Sequence, residues 1–200
     1  MRFIRTDFTH FMAAPLRSLV VPKSDREIHA RLLSIDELLE LQKDPKYDLS
    51  LAAINDLKES GKYCFGTFNE RVVSAYTFFA TKSVAPENNR GSYYFGGIGM
   101  RLPEDVIYTY KCFTLPAYRG QRQVQIAIIE GVKKLVSTNG WLVTTVDVNN
   151  KSSINMMKNI GLNQIQILRE FRIFGKRAYR IPKSILLSEE IERVELITPG

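Results

Sequence analysis

The sequence predicts an α/β or α+β domain in which helices cover both faces of a central sheet. Helical and hairpin patterns fill the first half of the chain, and strand and helix patterns alternate after residue 105. The composition agrees, because 44% of the 200 residues are hydrophobic and a chain of this size can bury a sizeable core without disulfides. We expect an N-terminal arm over residues 1–25, a main domain over 26–183 and a tail over 184–200.

The arm contains the apolar stretch FMAAPLRSLVV, which is shorter than a membrane span of about 20 residues and is interrupted by Arg17. Asp7 and His10 precede it, where a signal peptide would carry a basic region. Two cysteines are too few for a disulfide framework. His10 and His29 stand alone, so we expect no metal site. These features predict a cytoplasmic protein whose arm packs on the domain; contact with a membrane or a partner is the alternative.

The first part of the main domain mixes helix and strand signals. EIHARLL predicts a strand, and Ser34 with Glu37 forms a capping-box pattern at the start of a helix. DLSLAAINDLKESG predicts a second helix that closes at Gly61. YCFGTFN and RVVSAYTFFATK are rich in β-forming residues and predict a hairpin that turns at Asn69 and Glu70.

The second part carries the clearest signals. DVIYTYKCFTL (105–115) predicts a strand, and a helical period of apolar residues follows over 124–136 and ends by Gly140. WLVTTVDVN predicts a strand, SSINMMKNIG a short helix ended by Gly161, and LNQIQILREFRIFGKRAYRI a hairpin turning near Gly175. The acidic, amphipathic tail predicts a docked helix or strand, and a homodimer contact is the alternative.

The loop LPAYRGQRQ connects the strand over 105–115 to the next helix. Unpaired N–H groups and the dipole at a helix start favour an anion, and phosphate is the usual occupant. Gly120 lets a ligand approach the backbone, and Arg119 and Arg122 can add charge-assisted hydrogen bonds. The loop is neither a Walker A sequence nor GxGxxG. A polar turn with two solvated arginines is the alternative.

The net charge of +7 is concentrated in the same half of the chain. Residues 111–183 hold 13 basic and 3 acidic side chains, whereas residues 1–110 hold 14 of each. Such a field favours an anionic ligand, and solubility alone is the alternative. Five basic residues of the last hairpin predict a charged sheet edge, or alternatively a clamp for an acidic acceptor or a membrane surface: Arg169, Arg172, Lys176, Arg177 and Arg180. Nucleic-acid binding is not expected, because strand alternation assigns the neighbouring aromatic residues to the core.

Two motifs, in this order, resemble the GNAT superfamily of acyltransferases. PAYRGQ after a strand resembles the acyl-CoA loop of the family, Arg/Gln-x-x-Gly-x-Gly/Ala. NKSSINMMKNIGL resembles a later family segment, with Asn150, Ser153, Gly161 and Leu162 on the pattern. One helix and one strand separate the motifs, as in the family. The resemblance covers about residues 28–182 and is most specific over 105–165.

The resemblance implies a mixed, mostly antiparallel sheet in which two neighbouring strands splay apart. It also implies transfer of an acyl group from acetyl-CoA to a small-molecule or peptide amine, by direct attack in a ternary complex. The backbone of Phe113 and Thr114 would pair with pantetheine, and Asn150 and Ser153 would lie near it. The residues implied to contact the pyrophosphate are those of the loop and the helix start: Arg119, Gly120, Gln121, Arg122, Gln123 and Val124.

Three positions depart from the family pattern. Arg122 replaces the motif glycine, Val124 replaces the final Gly/Ala, and Met157 replaces a tyrosine that protonates the leaving thiolate. The backbone amides survive the first two changes, provided that the φ angles suit residues other than glycine. The competing hypothesis is a non-catalytic protein of the same fold, which binds acyl-CoA or another anion and acts through a partner.

The acid and the base of the reaction must then come from other residues. Candidates for the acid are Tyr110, Tyr179 and Cys112, and we assign this role to Tyr110. For the base we choose Glu104, which precedes the strand over 105–115. Two further loop acids are the alternatives: Asp105 and Glu70.

Overall fold

The computed structural model describes residues 4–23, 28–86, 97–136, 139–173, 176–187 and 193–197. Its strands are β1 (Ile4–Pro15), β2 (His29–Leu32), β3 (Lys62–Asn69), β4 (Val72–Ala80), β5 (Ser83–Val84), β6 (Gly99–Arg101), β7 (Val106–Thr114), β8 (Trp141–Asp147), β9 (Asn163–Ile173), β10 (Lys176–Arg180), β11 (Ser184–Leu186) and β12 (Arg193–Ile197). Its α-helices are α1 (Ile35–Gln42), α2 (Leu51–Asp56), α3 (Gln123–Leu135) and α4 (Lys151–Asn159).

Eight strands form the main sheet, in the order β10-β9-β1-β8-β7-β4-β3-β2. Every neighbouring pair in this sheet is antiparallel except β7 and β8, which are parallel. A second sheet of four short strands has the order β11-β12-β6-β5. The mixed, mostly antiparallel sheet predicted from the sequence is therefore confirmed.

Helices cover both faces of the main sheet, as predicted. On one face, Leu38 of α1 and Ile54 of α2 are buried in the same apolar cluster as Tyr108 of β7. On the other face, Ile128 of α3 and Met157 of α4 are buried in a second cluster. The strand residues alternate between these two clusters, so β7 separates two environments.

The N-terminal segment differs from the predicted arm. Residues 4–15 form β1, which lies inside the sheet between β9 and β8. Phe11 and Met12 are consecutive and fully buried, one in each apolar cluster. A strand that is buried on both faces has no polar alternation, and this is why the sequence pattern showed no period.

Local signals placed most of the other elements correctly. Ser34 caps α1, and its capping box with Glu37 is complete, with Glu37 N–H bound to Ser34 Oγ at 3.2 Å. The second helix is shorter than predicted, because α2 ends at Asp56 and turns lead to Gly61, which has a φ of 85°. The tail forms strands β11 and β12, and the predicted turn at Gly175 lies outside the described residues.

The side chains of Arg172, Lys176, Arg177 and Tyr179 also lie outside the described part of the structure. Among the helices that are described, none has the length and apolar character needed to cross a membrane.

Candidate functional site

The two parallel strands in the middle of the sheet separate along their length. β7 and β8 form three pairs, the last of which joins Tyr108 to Val143. Just beyond it, the Thr144 hydroxyl donates to the Thr109 carbonyl at 2.8 Å. No further β7–β8 pair forms in the part of the chain that the structure describes. The splay that the resemblance implies is therefore present, and it opens toward the C-terminal end of β7.

β7 carries a bulge at Lys111, whose φ is 48°. The pairs Tyr76–Phe113 and Phe78–Tyr110 enclose one residue on β4 and two on β7. An extra residue reverses the alternation of side chains along a strand. Phe113 consequently lies on the same face as Tyr110, where its ring stacks on Tyr76 with a centroid distance of 5.2 Å.

A groove of about 520 Å³ begins where β7 enters the predicted anion loop. Gly120 and Arg122 both adopt left-handed backbone conformations, with φ of 77° and 62°. A Cβ atom at Gly120 would meet nothing within 4 Å among the described atoms, so open space lies over this peptide. The residues of β7, the loop and α3 that line the groove are Cys112, Phe113, Thr114, Tyr118, Arg119, Gly120, Arg122, Gln123, Val124 and Gln125.

The φ of Arg122 lies in the left-handed region, which glycine adopts without strain and other residues adopt at a cost. The backbone conformation that favours glycine in the family motif is therefore present here, although the residue is an arginine. It is the N-cap residue of α3, and its side chain makes no capping hydrogen bond within the described chain. Its guanidinium instead donates to the carbonyl of Lys23. The first backbone N–H groups of α3 have no acceptor within the helix, and the residues that carry them line the groove.

The two neighbouring polar side chains of the loop differ in position. Arg119 is exposed and lines the groove, with its Nε at the long distance of 3.5 Å from the Thr114 carbonyl. Gln121 turns back along the loop and donates to the Ala117 carbonyl at 3.1 Å. The structure thus brings Arg119 to the groove, whereas Gln121 is absent from its described lining.

A buried polar chain fixes the first turn of α3 to the sheet. Ser74 donates to Oε1 of Gln123 at 2.8 Å and approaches the Thr67 hydroxyl at 3.1 Å. Gln123 is only 4% exposed, and it also belongs to the lining of the groove. Val124 is 7% exposed, so its side chain is also buried.

α4 forms the opposite wall of the groove through one helical face: Ser152, Ser153, Asn155, Met156 and Asn159. Asn150 caps this helix, accepting from the Ser153 amide at 3.1 Å, and its side chain is not in the described lining. Met157 is 2% exposed and lies in the core. The position at which the family has an acid is therefore a packing position here, and its neighbour Met156 faces the groove.

A second cavity of about 530 Å³ lies on the other side of the bulge. Its lining comes from the α1–α2 region and from β4 and β7: Gln42, Lys43, Pro45, Asp48, Leu49, Ser50, Ala53, Tyr76, Phe78, Lys111, Cys112 and Phe113. Cys112 and Phe113 belong to both linings. The groove and the cavity therefore meet at these two residues of β7.

Cys112 is half-buried, and its Sγ lies 3.2 Å from the Thr77 hydroxyl. Burial raises the pKa of the Cys112 thiol, and hydrogen bonds with Thr77 and Thr109 offset part of that increase. The thiol is consequently protonated at neutral pH. Such a group can donate a hydrogen bond at the junction of the two spaces, and it is a poor nucleophile.

Tyr110 does not face either space in the described linings. Its hydroxyl donates to Oδ2 of Asp56 at 2.7 Å, and Lys62 Nζ lies 2.7 Å from Oδ1 of the same carboxylate. Burial, followed by the bond to Asp56, raises the pKa of the Tyr110 phenol well above its usual value. This buried cluster ties α2 to β3 and β7.

Glu104 lies at the other end of β7 from the loop. It is an exposed residue of the turn that precedes Val106, and the strand runs from there to Thr114 before the groove begins. The structure does not bring Glu104 near Cys112 or Phe113, because seven residues, six of them in the extended chain of β7, lie between Glu104 and Cys112.

The sequence reasoning missed several residues that line the two spaces. The α4 wall has a signal that could have found it, because Ser152, Asn155, Met156 and Asn159 share one helical face. Lys111 and Asp48 had no comparable signal, since neither a bulge nor a left-handed residue after a turn is readable from one sequence.

No protein-family model and no curated protein matches the chain. Solved structures do match it. A GCN5-related N-acetyltransferase from Kribbella flavida superposes with a TM-score of 0.56 at 11% identity, over 84% of this chain and 58% of that protein. A protein from Novosphingobium aromaticivorans, described as a GNAT-family acetyltransferase, gives 0.52 at 12% identity, over 84% and 66%.

A Drosophila protein gives a TM-score of 0.55 at 13% identity, over 86% of this chain and 53% of that protein. The chain thus spans between 53% and 66% of the length of these three proteins. Identities of 11–13% support a statement about architecture alone. Two GNAT acetyltransferases, the splayed strands and the ordered motifs agree, and the chain therefore has the fold of the GNAT acetyltransferase superfamily.

Proposed function

We propose that the protein is an acyltransferase that moves an acetyl group from acetyl-CoA to an amine. The observation that carries the proposal is the junction at Cys112 and Phe113, where the groove meets the second cavity. A donor and an acceptor bound in the two spaces would meet there, as a ternary complex requires.

The acyl donor would lie in the groove with its pyrophosphate over Gly120 and the first turn of α3. Open space over Gly120, unpaired helix amides and the exposed guanidinium of Arg119 suit a phosphate. The pantetheine arm would extend into the fork between β7 and β8, beside Phe113 and Thr114. Its thioester would then reach Cys112.

The reaction would be direct attack of the neutral amine on the thioester carbonyl. A C–N bond forms, the C–S bond breaks, the amine proton passes to solvent or a base, and the thiolate of CoA takes up a proton. A backbone amide of the bulged strand would stabilise the oxyanion. We assign the hydrogen bond to the leaving sulfur to the Cys112 thiol, because Tyr110 donates to Asp56 and lines neither space.

Calorimetric titration of acetyl-CoA into the wild type and Arg119→Ala tests the donor site. We expect micromolar binding, weakened tenfold or more by the substitution, which corresponds to about 1.4 kcal/mol. Lys134→Met, which removes a charge from the exposed side of α3 away from the groove, is the matched control. Absence of binding at millimolar acetyl-CoA would contradict the proposal. If acetyl-CoA binds but no amine of a tested panel causes release of the CoA thiol, the result would favour a non-catalytic acyl-CoA-binding protein.

A further inference from the structure

The second cavity, whose lining residues come from the α1–α2 region, β4 and β7, has an aromatic inner wall. Tyr76 stacks on Phe113 and meets Phe78 edge to face, with a centroid distance of 5.8 Å. The Tyr76 hydroxyl donates to the Tyr47 carbonyl at 2.6 Å, and burial raises the pKa of this phenol. The wall therefore presents rings and no ionised group.

Charged residues line the same cavity. Lys111 is the residue at the bulge of β7, and Asp48 follows the short turn Pro45–Tyr47. Lys43 is the other cation in the lining, and its ammonium lies 2.6 Å from a carboxylate oxygen of Glu40. The cavity thus combines an apolar wall with both signs of charge.

The backbone that carries Lys111 and Asp48 is unusual. Four described residues other than glycine have a positive φ, and these two, at 48° and 49°, line the cavity. A third, Arg122, lines the groove, and the fourth, Glu70, is at a hairpin turn. Such conformations are held in place by the surrounding structure and concentrate at functional sites. Three of these four positions therefore line the two spaces that meet at Cys112.

We propose that the acceptor is a small primary amine that also carries an anionic group, and that Lys111 binds that group. Asp48 would bind the ammonium before it loses its proton, and the apolar part of the molecule would lie on Phe113. A cavity of about 530 Å³ is in the range that holds small molecules. The inference rests on the proposed transfer reaction and narrows its acceptor. A carboxylate and a phosphate share the required chemistry.

Calorimetric titrations of matched amines test the inference. L-phenylalanine is compared with phenethylamine, and phosphoethanolamine with ethanolamine, in protein saturated with CoA and in protein without it. We expect the anionic member of at least one pair to bind tenfold or more tightly than its neutral partner, and the pair that responds identifies the group. Equal binding within both pairs, or no binding of either anionic amine at millimolar concentration, would overturn the inference.

Substitutions at one position assign the effect to the bulge. Lys111→Met should abolish the preference within the responding pair and leave the affinity for CoA unchanged. Lys111→Arg should keep the preference, and Lys134→Met on α3 should leave both affinities as in the wild type. A preference that survives in Lys111→Met would refute the role of Lys111. Failure of CoA itself to bind would instead contradict the proposed donor site, and the titrations without CoA would still decide the acceptor inference.

Discussion

The groove and the second cavity share two residues of β7, yet they are built in different ways. The groove depends on the backbone of one short segment, in which Gly120 and Arg122 turn the chain into α3. The cavity depends on side chains that are far apart in sequence, such as Asp48, Tyr76 and Lys111. A phosphate site made of backbone amides leaves a local sequence motif. A side-chain cavity of this kind leaves none.

The walls of the two spaces are also anchored by different forces. α2, on the cavity side, is held by the buried ion pair of Asp56 with Lys62, whose side chains are 1% and 2% exposed. α3, on the groove side, is held by close apolar packing in which Gly131 contacts the sheet. The two anchors can therefore be broken separately.

Lys62→Met should have the largest effect on stability. It leaves the carboxylate of Asp56 buried without its cation, for which we expect a loss of about 3–5 kcal/mol in the free energy of unfolding. Lys133→Met breaks an exposed pair with Glu130 and should cost about 1 kcal/mol or less. Urea denaturation of both variants gives the comparison. Equal losses in the two variants would mean that the buried pair does not anchor α2.

Gly131→Ala should have the next largest effect. A Cβ atom at this position would overlap the ring of Phe79, with its Cζ at 2.7 Å, and would press on Phe65 at 3.2 Å. Overpacking of this kind costs about 1–3 kcal/mol, which exceeds the gain in helix propensity. Denaturation measures the loss. A variant as stable as the wild type would show that α3 can move away from β3 and β4.

The third prediction compares Arg122→Gly with Arg122→Ala. Both remove the guanidinium and its bond to Lys23, so the difference between them reports the backbone alone. Because φ is 62° at this position, the glycine variant should be more stable by about 1 kcal/mol. It should also bind acetyl-CoA as tightly as the alanine variant or more so. An alanine variant that is the more stable of the two would refute the left-handed conformation.

The sequence predicted the elements that local chemistry determines. The capping box at Ser34, the hairpin of β3 and β4, which turns at Glu70 and Arg71, and the strand–loop–helix order around Gly120 all depend on residues close in sequence. The central strand β1 was not predicted, because burial on both faces removes the alternation of polar and apolar residues that identifies a strand.

The candidate site was predicted only in part, because some of its features depend on residues that are far apart in sequence. Phe113, Thr114 and Arg119 line the groove, whereas Asn150 caps a helix. Tyr110 was predicted from its place on the strand over 105–115, and Glu104 from its place just before that strand. The bulge, which turns Phe113 toward Tyr76, and the pairing of Tyr110 with Asp56 are tertiary features that one sequence does not encode locally.

Alkylation of Cys112 tests most directly the claim that the acyl donor reaches the junction of the two spaces. N-ethylmaleimide is applied with and without saturating acetyl-CoA, and the cysteine peptides are quantified by mass spectrometry. The alkylation rate of a free thiol levels off above its pKa of about 8.5. Because burial raises the pKa of Cys112, its rate of modification should keep rising above that pH. Cys64, which is 1% exposed, is the internal control and should stay unmodified. We predict that acetyl-CoA protects Cys112 and that ADP, which can fill only the pyrophosphate end of the groove, does not. An unchanged rate of Cys112 modification at saturating acetyl-CoA would contradict the account.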